Sequence, residues 1–218
     1  MDWHRTVDGY CERLGPAFWA EPVNAATNLA FLIAALIMMR RLQGTGLGLG
    51  WGLASLLFAI GVGSFLFHSF AQVWAAVADV VPIMLFTLLY IFAANRDYWE
   101  MPPLWAAVGA LLFVPYAALV APLFTPLIGG SSAYAPLPLL IFIYAAALAK
   151  RAPQTALGLA GGAAVLTVSI VMRTLDLPLC ENWHIGTHFL WHLLNAVMLG
   201  WMIEVYRRHM LARRTHQG

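Results

Sequence analysis

Charge is what this sequence lacks. Ten acidic and twelve basic residues amount to 10% of its 218 positions, against about 25% in an ordinary soluble domain. So few ionised groups cannot cover a water-soluble globule, and 61% of the residues are apolar. The mean hydropathy of +0.76 agrees. These figures exclude a soluble enzyme, a nucleic-acid binder and a disordered chain. A net charge of +2 gives no case for an anionic partner. Cysteine is scarce too: two residues rule out a disulfide framework but leave room for one bridge. The first 19 residues lack the basic start, apolar run and small-residue cleavage site of a signal peptide, so they are expected in the mature protein. No internal repeat, appended soluble domain or obligate protein partner is evident.

What is present is a series of long apolar runs. A helix needs about 20 apolar residues to cross about 30 Å of hydrocarbon. Gly, Pro and charge punctuate the chain into seven such segments, roughly 22–41, 49–69, 76–95, 103–122, 135–150, 155–173 and 185–206. The fifth is the weakest, short and broken at its start by Pro136 and Pro138. The runs are continuous rather than alternating, which argues against a barrel. The expected fold is an all-α integral membrane protein, a seven-helix bundle over 22–206. An outer segment 1–21 precedes it and a basic tail 207–218 follows.

Nine of the twelve bases set the orientation: Arg40, Arg41, Arg96, Lys150, Arg151, Arg207, Arg208, Arg213 and Arg214 share one side if the chain crosses seven times. The positive-inside rule makes that side cytoplasmic and the N-terminus outer, an inner-membrane arrangement if the source is bacterial. Asp2, Asp8, Glu12, Glu21, Asp176 and Glu181 collect on the other side, as do Cys11 and Cys180. An oxidising compartment permits a disulfide there; two free thiols are the alternative.

Ionisable residues inside spans are costly and point to function. His68 ends the second span, Asp79 lies early in the third, and His188 and His192 open the seventh. All four fall near the outer ends of their helices. His188 and His192 are four apart and share a helix face, and Ser64 lies one turn from His68 on its face. Three imidazoles from two helices can hold a tetrahedral Zn²⁺ and leave a position for water. The alternatives are packing histidines or a haem, which usually draws its two histidines from two helices. His184 is either a fourth ligand or a loop residue. Asp8, Glu12 and Glu21, beside Tyr10, suit a hard cation such as Ca²⁺ or form a solvated acidic loop. Trp3, Trp19, Trp74, Trp99, Trp105 and Trp183 lie near span ends, as in aromatic belts. Gly161 and Gly162 suit close helix packing.

Together these stretches resemble a known pattern. YCER with AEPVNAATNLAF, then GSFLFHSF, then the aspartate of AAVADVVPIM, then LPLCENWHIGTHFLWH, are similar to the alkaline ceramidase family of seven-helix zinc hydrolases. Its superfamily includes the progestin and adipoQ receptors. The resemblance covers nearly the whole chain. It implies zinc ligands at His68, His188 and His192, with Ser64 and Asp79 beside the metal. It implies a bridge between Cys11 and Cys180. It maps a calcium site to Glu12, Glu21 and the Tyr10 carbonyl, with Asp8 nearby. Two positions depart from that site: Gly9 stands where the family has aspartate, and Leu14 where it has asparagine.

The implied activity is hydrolysis of the amide of ceramide, or of a ceramide-like N-acyl lipid, to a sphingoid-type amine and a fatty acid. Zinc-activated water attacks, Asp79 serves as general base, and Ser64 helps stabilise the oxyanion. A Ser–His–Asp triad is disfavoured because it leaves His188 and His192 unexplained. The competing readings are a zinc lipid esterase of the same fold and a non-enzymatic seven-helix lipid receptor or transporter. A transporter should place its polar residues near the midplane, and here they lie near one face.

Overall fold

The computed structural model describes residues 2–7 and 9–215, and Asp8 lies outside them. Among the described residues the regular structure is helical, apart from one isolated bridge between Thr6 and Gln72. The helices are α1 (Pro22–Thr27), α2 (Leu29–Leu42), α3 (Gly48–Phe70), α4 (Val73–Asp97), α5 (Pro103–Leu111), α6 (Phe113–Ile128), α7 (Pro136–Leu148), α8 (Pro153–Thr174) and α9 (His188–Thr215). A 3-10 turn, Gly129–Tyr134, joins α6 to α7. Proline opens α1, α5, α7 and α8, where its missing N–H is no loss and its fixed φ suits the first helical residue.

Six segments are long and apolar enough to cross a membrane: Pro22–Leu42, Gly48–Phe70, Val73–Asp97, Pro103–Tyr134, Pro153–Thr174 and His188–Arg214. Helix α7 is apolar but shorter, at 13 residues. The expected fourth span is two helices broken at Leu112. Pro115 supplies the reason, since it has no N–H to give the carbonyl of Leu111. The last helix continues through the basic residues after 206, with Arg207 and Arg208 bonded back to Glu204.

Leu119, Leu123 and Leu127, spaced by four along α6, are all exposed. Such a stripe would be a liability in water and is what a lipid-facing helix requires. Trp3, Trp19, Trp105 and Trp183 are exposed as well, whereas Trp74 and Trp99 are half-buried. The interior is built from Phe31, Leu53, Leu57, Ile60, Phe86, Leu159 and Ile203, among others.

The two ends of the bundle differ chemically. At one end, Glu204 takes Arg41, Arg207 and Arg208, and Glu100 takes Arg151 and Arg213. At the other, Cys11 and Cys180 form a disulfide that ties the N-terminal segment to the loop before α9.

Helices α3 and α4 approach unusually closely. Pro82 lies inside α4 and offers no N–H to the Ala78 carbonyl. Gly63 sits against that carbonyl, and a Cβ there would run into it. The contact places Ser64 and Asp79, the next residue on each helix, side by side. At Gly162 the expected close packing is found, since a Cβ would press into the Met202 sulfur of α9. Gly63→Val should therefore separate α3 from α4, cost about 1–3 kcal/mol, and move Ser64 away from Asp79. Thermal unfolding in detergent checks this, and a variant as stable as wild type would contradict the close approach.

Candidate metal centre

His68 closes α3, and His188 and His192 lie in the first two turns of α9. All three side chains are about 1% exposed. Each offers a ligand atom, and these atoms lie within 4.8 Å of one another. The ring centroids are 4.6–5.1 Å apart.

Hydrogen bonds decide which nitrogens face the centre. Thr27 Oγ1 lies 2.8 Å from the Val23 carbonyl, to which its single proton goes. It must then accept from His192 Nδ1, 3.0 Å away, which leaves the Nε2 lone pair of His192 free. That Nε2 is buried and has no partner. Glu21 Oε2 lies 2.6 Å from His68 Nδ1 and accepts its proton, so His68 also turns its Nε2 lone pair outward. The Nδ1 of His188 is buried without a partner. Buried, unpaired ring nitrogens are costly unless something binds them. A cation that prefers nitrogen ligands in tetrahedral geometry suits this donor set, and zinc is such a cation.

The elements around the histidines hold them in place. Asp176 Oδ1 accepts the backbone N–H groups of Thr187 at 2.8 Å and His188 at 2.9 Å, capping the start of α9. Its Oδ2 accepts the Cys11 N–H at 2.9 Å, which joins the disulfide to the same cap. Tyr10 stacks on His188 with ring centroids 3.8 Å apart. Burial raises the Tyr10 phenol above the ordinary tyrosine value, against the opposing pull of Arg173.

Asp79 lies beside Ser64 and in the field of His68 and Arg173. The Arg173 guanidinium sits 5.3–5.7 Å from the ring centres of Tyr10, Tyr134 and Trp191. It donates to Tyr10 Oη at 3.1 Å and Ser131 Oγ at 3.3 Å, while its Nε is buried and unpaired. Next to the centre an apolar cavity is lined by Phe31, Ile60, Phe86, Tyr134, Trp191 and Met198, of which Phe31 neighbours His192 and Trp191 neighbours His188.

Of the carboxylates expected to bind calcium, Asp8 lies outside the described residues, and Glu12 and Glu21 make hydrogen bonds within the protein. The two Glu12 oxygens accept the Val23 and Asn24 N–H groups at 2.7 and 2.8 Å, capping α1. Glu21 is buried among His68, Arg13 and Asn24. Burial raises its pKa, but the hydrogen bonds and charge of those partners outweigh burial and hold the carboxyl below its ordinary value. The Tyr10 carbonyl accepts the Arg13 N–H at 3.3 Å. Leu14 is 94% exposed. Among the described residues, the group of three or more side chains placed to share a metal ion is His68, His188 and His192, and it includes neither Glu12 nor Glu21. His184 is exposed in its loop, apart from the three buried histidines.

Thr27, Asn24, Arg13, Arg173 and the capping role of Asp176 were not read from the sequence as parts of the site. A signal existed for the first two: Glu21, Asn24, Thr27 and Asn28 form a polar stripe at helical spacing in an otherwise apolar span.

A multi-pass helical membrane protein with a buried three-histidine centre is the class these features define. A family model described as Ceramidase matches residues 10–217, and the chain belongs to the ceramidase family. The family implies a hydrolase acting on amide bonds. No curated protein matches the chain.

The Thr27 contact can be tested directly. Thr27→Val keeps the shape but leaves His192 Nδ1 without an acceptor. Zinc affinity, measured by competition with a chromophoric chelator, should fall about 10–100-fold. An unchanged affinity would contradict the assigned tautomer.

Proposed function

We propose that the protein is an intramembrane zinc-dependent amidase that hydrolyses ceramide, or a ceramide-like N-acyl lipid, to a sphingoid-type amine and a fatty acid. One observation carries this reading: three buried histidines, two with unpaired ring nitrogens, converge beside Ser64 and Asp79 and next to an apolar cavity. Family membership supplies the bond type.

His68, His188 and His192 would hold the zinc ion, which when bound supplies Lewis acidity and makes water nucleophilic at neutral pH. The chain's own groups do the remaining work. The apolar cavity receives an acyl chain and leaves its amide at the level of the histidines. Asp79 takes a proton from the attacking water as the carbonyl carbon becomes tetrahedral. The Ser64 hydroxyl turns to the developing oxyanion. The positive field of Arg173 favours the same charge. Asp79 then passes its proton to the nitrogen as the C–N bond breaks, and the amine leaves.

The membrane arrangement consistent with this chemistry has seven crossings, an outer N-terminus and a cytoplasmic C-terminus. Helix α7 would be the short crossing, about 20 Å along its axis. The basic end, with Glu204 and Glu100 surrounded by arginines, would face the cytoplasm. The histidines would then lie near the outer face, at the depth of a ceramide amide.

Release of fatty acid from a fluorescent short-chain ceramide tests the reading. Wild type should turn it over. Asp79→Asn should lose about 10²–10⁴-fold in kcat with zinc retained, and Ser64→Ala about 10²–10³-fold. Turnover by Asp79→Asn at the wild-type rate would contradict the assigned base. A zinc-loaded protein inert toward ceramide and other N-acyl lipids would favour a receptor.

A further inference from the structure

The Arg13 guanidinium is the most deeply buried cation of the N-terminal segment. Its side chain is 2% exposed, as is that of Glu21, its ion-pair partner. Its nitrogens reach three separate places. Nε donates to Glu21 Oε1, Nη1 to the Gly15 carbonyl at 3.0 Å, and Nη2 to the His68 carbonyl at 2.8 Å. Glu21 uses its other oxygen to accept from His68 Nδ1. Arg13 therefore grips His68 twice: directly at the backbone, and through Glu21 at the ring.

Each half of this arrangement has a physical reason. The His68 carbonyl belongs to the last turn of α3, where carbonyls lack helical donors and favour a cation. Glu21 is a buried carboxylate, and such a charge is strongly destabilising without a partner. A guanidinium answers both needs because its rigid fork presents several donors at fixed angles. The ammonium of lysine is a point charge on a flexible stem and cannot hold the same three acceptors in register.

We infer that Arg13 is a positioning residue of the metal centre: its guanidinium is the built-in cation that fixes Glu21 against His68, and it makes the centre independent of calcium. The inference rests on the reading of His68 as a zinc ligand. Carboxylate and carbonyl oxygens around a positive charge are the donors a calcium ion would seek, and here the guanidinium already holds them. A divalent ion beside it would meet like charge at close range. Glu12 offers no alternative, since both of its oxygens cap α1.

The test uses the full-length protein in detergent, with zinc affinity as the primary readout. Wild type should bind zinc and turn over lipid equally in millimolar calcium and in a calcium-selective chelator. Arg13→Lys keeps the buried charge and should fold. It should nevertheless lose about 10–100-fold in zinc affinity, and its cobalt-substituted form should show a shifted visible spectrum. Arg13→Gln should lose at least as much. If Arg13→Gln fails to fold, Arg13→Lys alone decides the matter. Wild-type affinity and spectrum in Arg13→Lys, or a calcium requirement in wild type, would overturn the inference. His68→Ala separates the two levels. Loss of zinc in His68→Ala but not in Arg13→Lys removes the Arg13 role alone. Full zinc affinity in His68→Ala removes the metal reading beneath it.

Discussion

Three imidazoles brought to one point, two of them with a buried ring nitrogen that no protein group satisfies, are the constraint on which the rest of the structure depends. An unpaired polar nitrogen in an apolar interior costs free energy, and this chain places two together, on His188 and His192. The surrounding elements hold that costly arrangement in place. Glu21 orients His68, Thr27 orients His192, and Asp176 anchors the start of the helix that carries both His188 and His192. The disulfide and the Asp176 bond to Cys11 draw the N-terminal segment over the same point. The segment before the first span is thus part of the centre rather than a leader to the bundle.

The bilayer explains the division of labour along the helix axes. Apolar side chains fill the middle of the bundle, and they can also face outward because the solvent there would be lipid. Among the described residues the acidic, basic and histidine side chains gather toward the two ends. At one end they are arginines and carboxylates in mutual ion pairs; at the other they are the histidines, the Ser64–Asp79 pair and Arg173. In the function proposed above, an amide near the headgroups with its acyl chain in the apolar cavity would meet both environments at once. Close backbone approach makes the Ser64–Asp79 pair possible. Gly63 and the proline-freed carbonyl of Ala78 let two helices touch where side chains would otherwise hold them apart.

Much of this was legible in the sequence because membrane constraints act locally. Long apolar runs mark spans whatever their partners. Four-residue spacings of Ser64 with His68 and of His188 with His192 place each pair on one face before any packing is known. The side assignment of Cys11 and Cys180 made a bridge feasible, and the structure forms it. The break at Leu112 was also written in the sequence, as Pro115, yet the run around it reads as one span by length alone. Other features lie beyond local reading. An acidic residue before a span reads equally well as a cation ligand, a helix cap or a partner for histidine. Glu12 proves to be the second of these and Glu21 the third, because tertiary packing brings Val23, Asn24, Arg13 and His68 to them. Arg13 follows the bridging cysteine by two positions and sits in no recognisable motif, so its reach to the His68 carbonyl is visible only in the fold.

The most direct test of the central claim is the metal content of the purified protein, measured by mass spectrometry on detergent-solubilised wild type and on a His188→Ala/His192→Ala variant. About one zinc per chain in the wild type, and none in a folded variant, is the result expected of a three-histidine site. A folded wild-type protein that holds no metal after zinc loading would contradict the account, and the three histidines would then be packing residues.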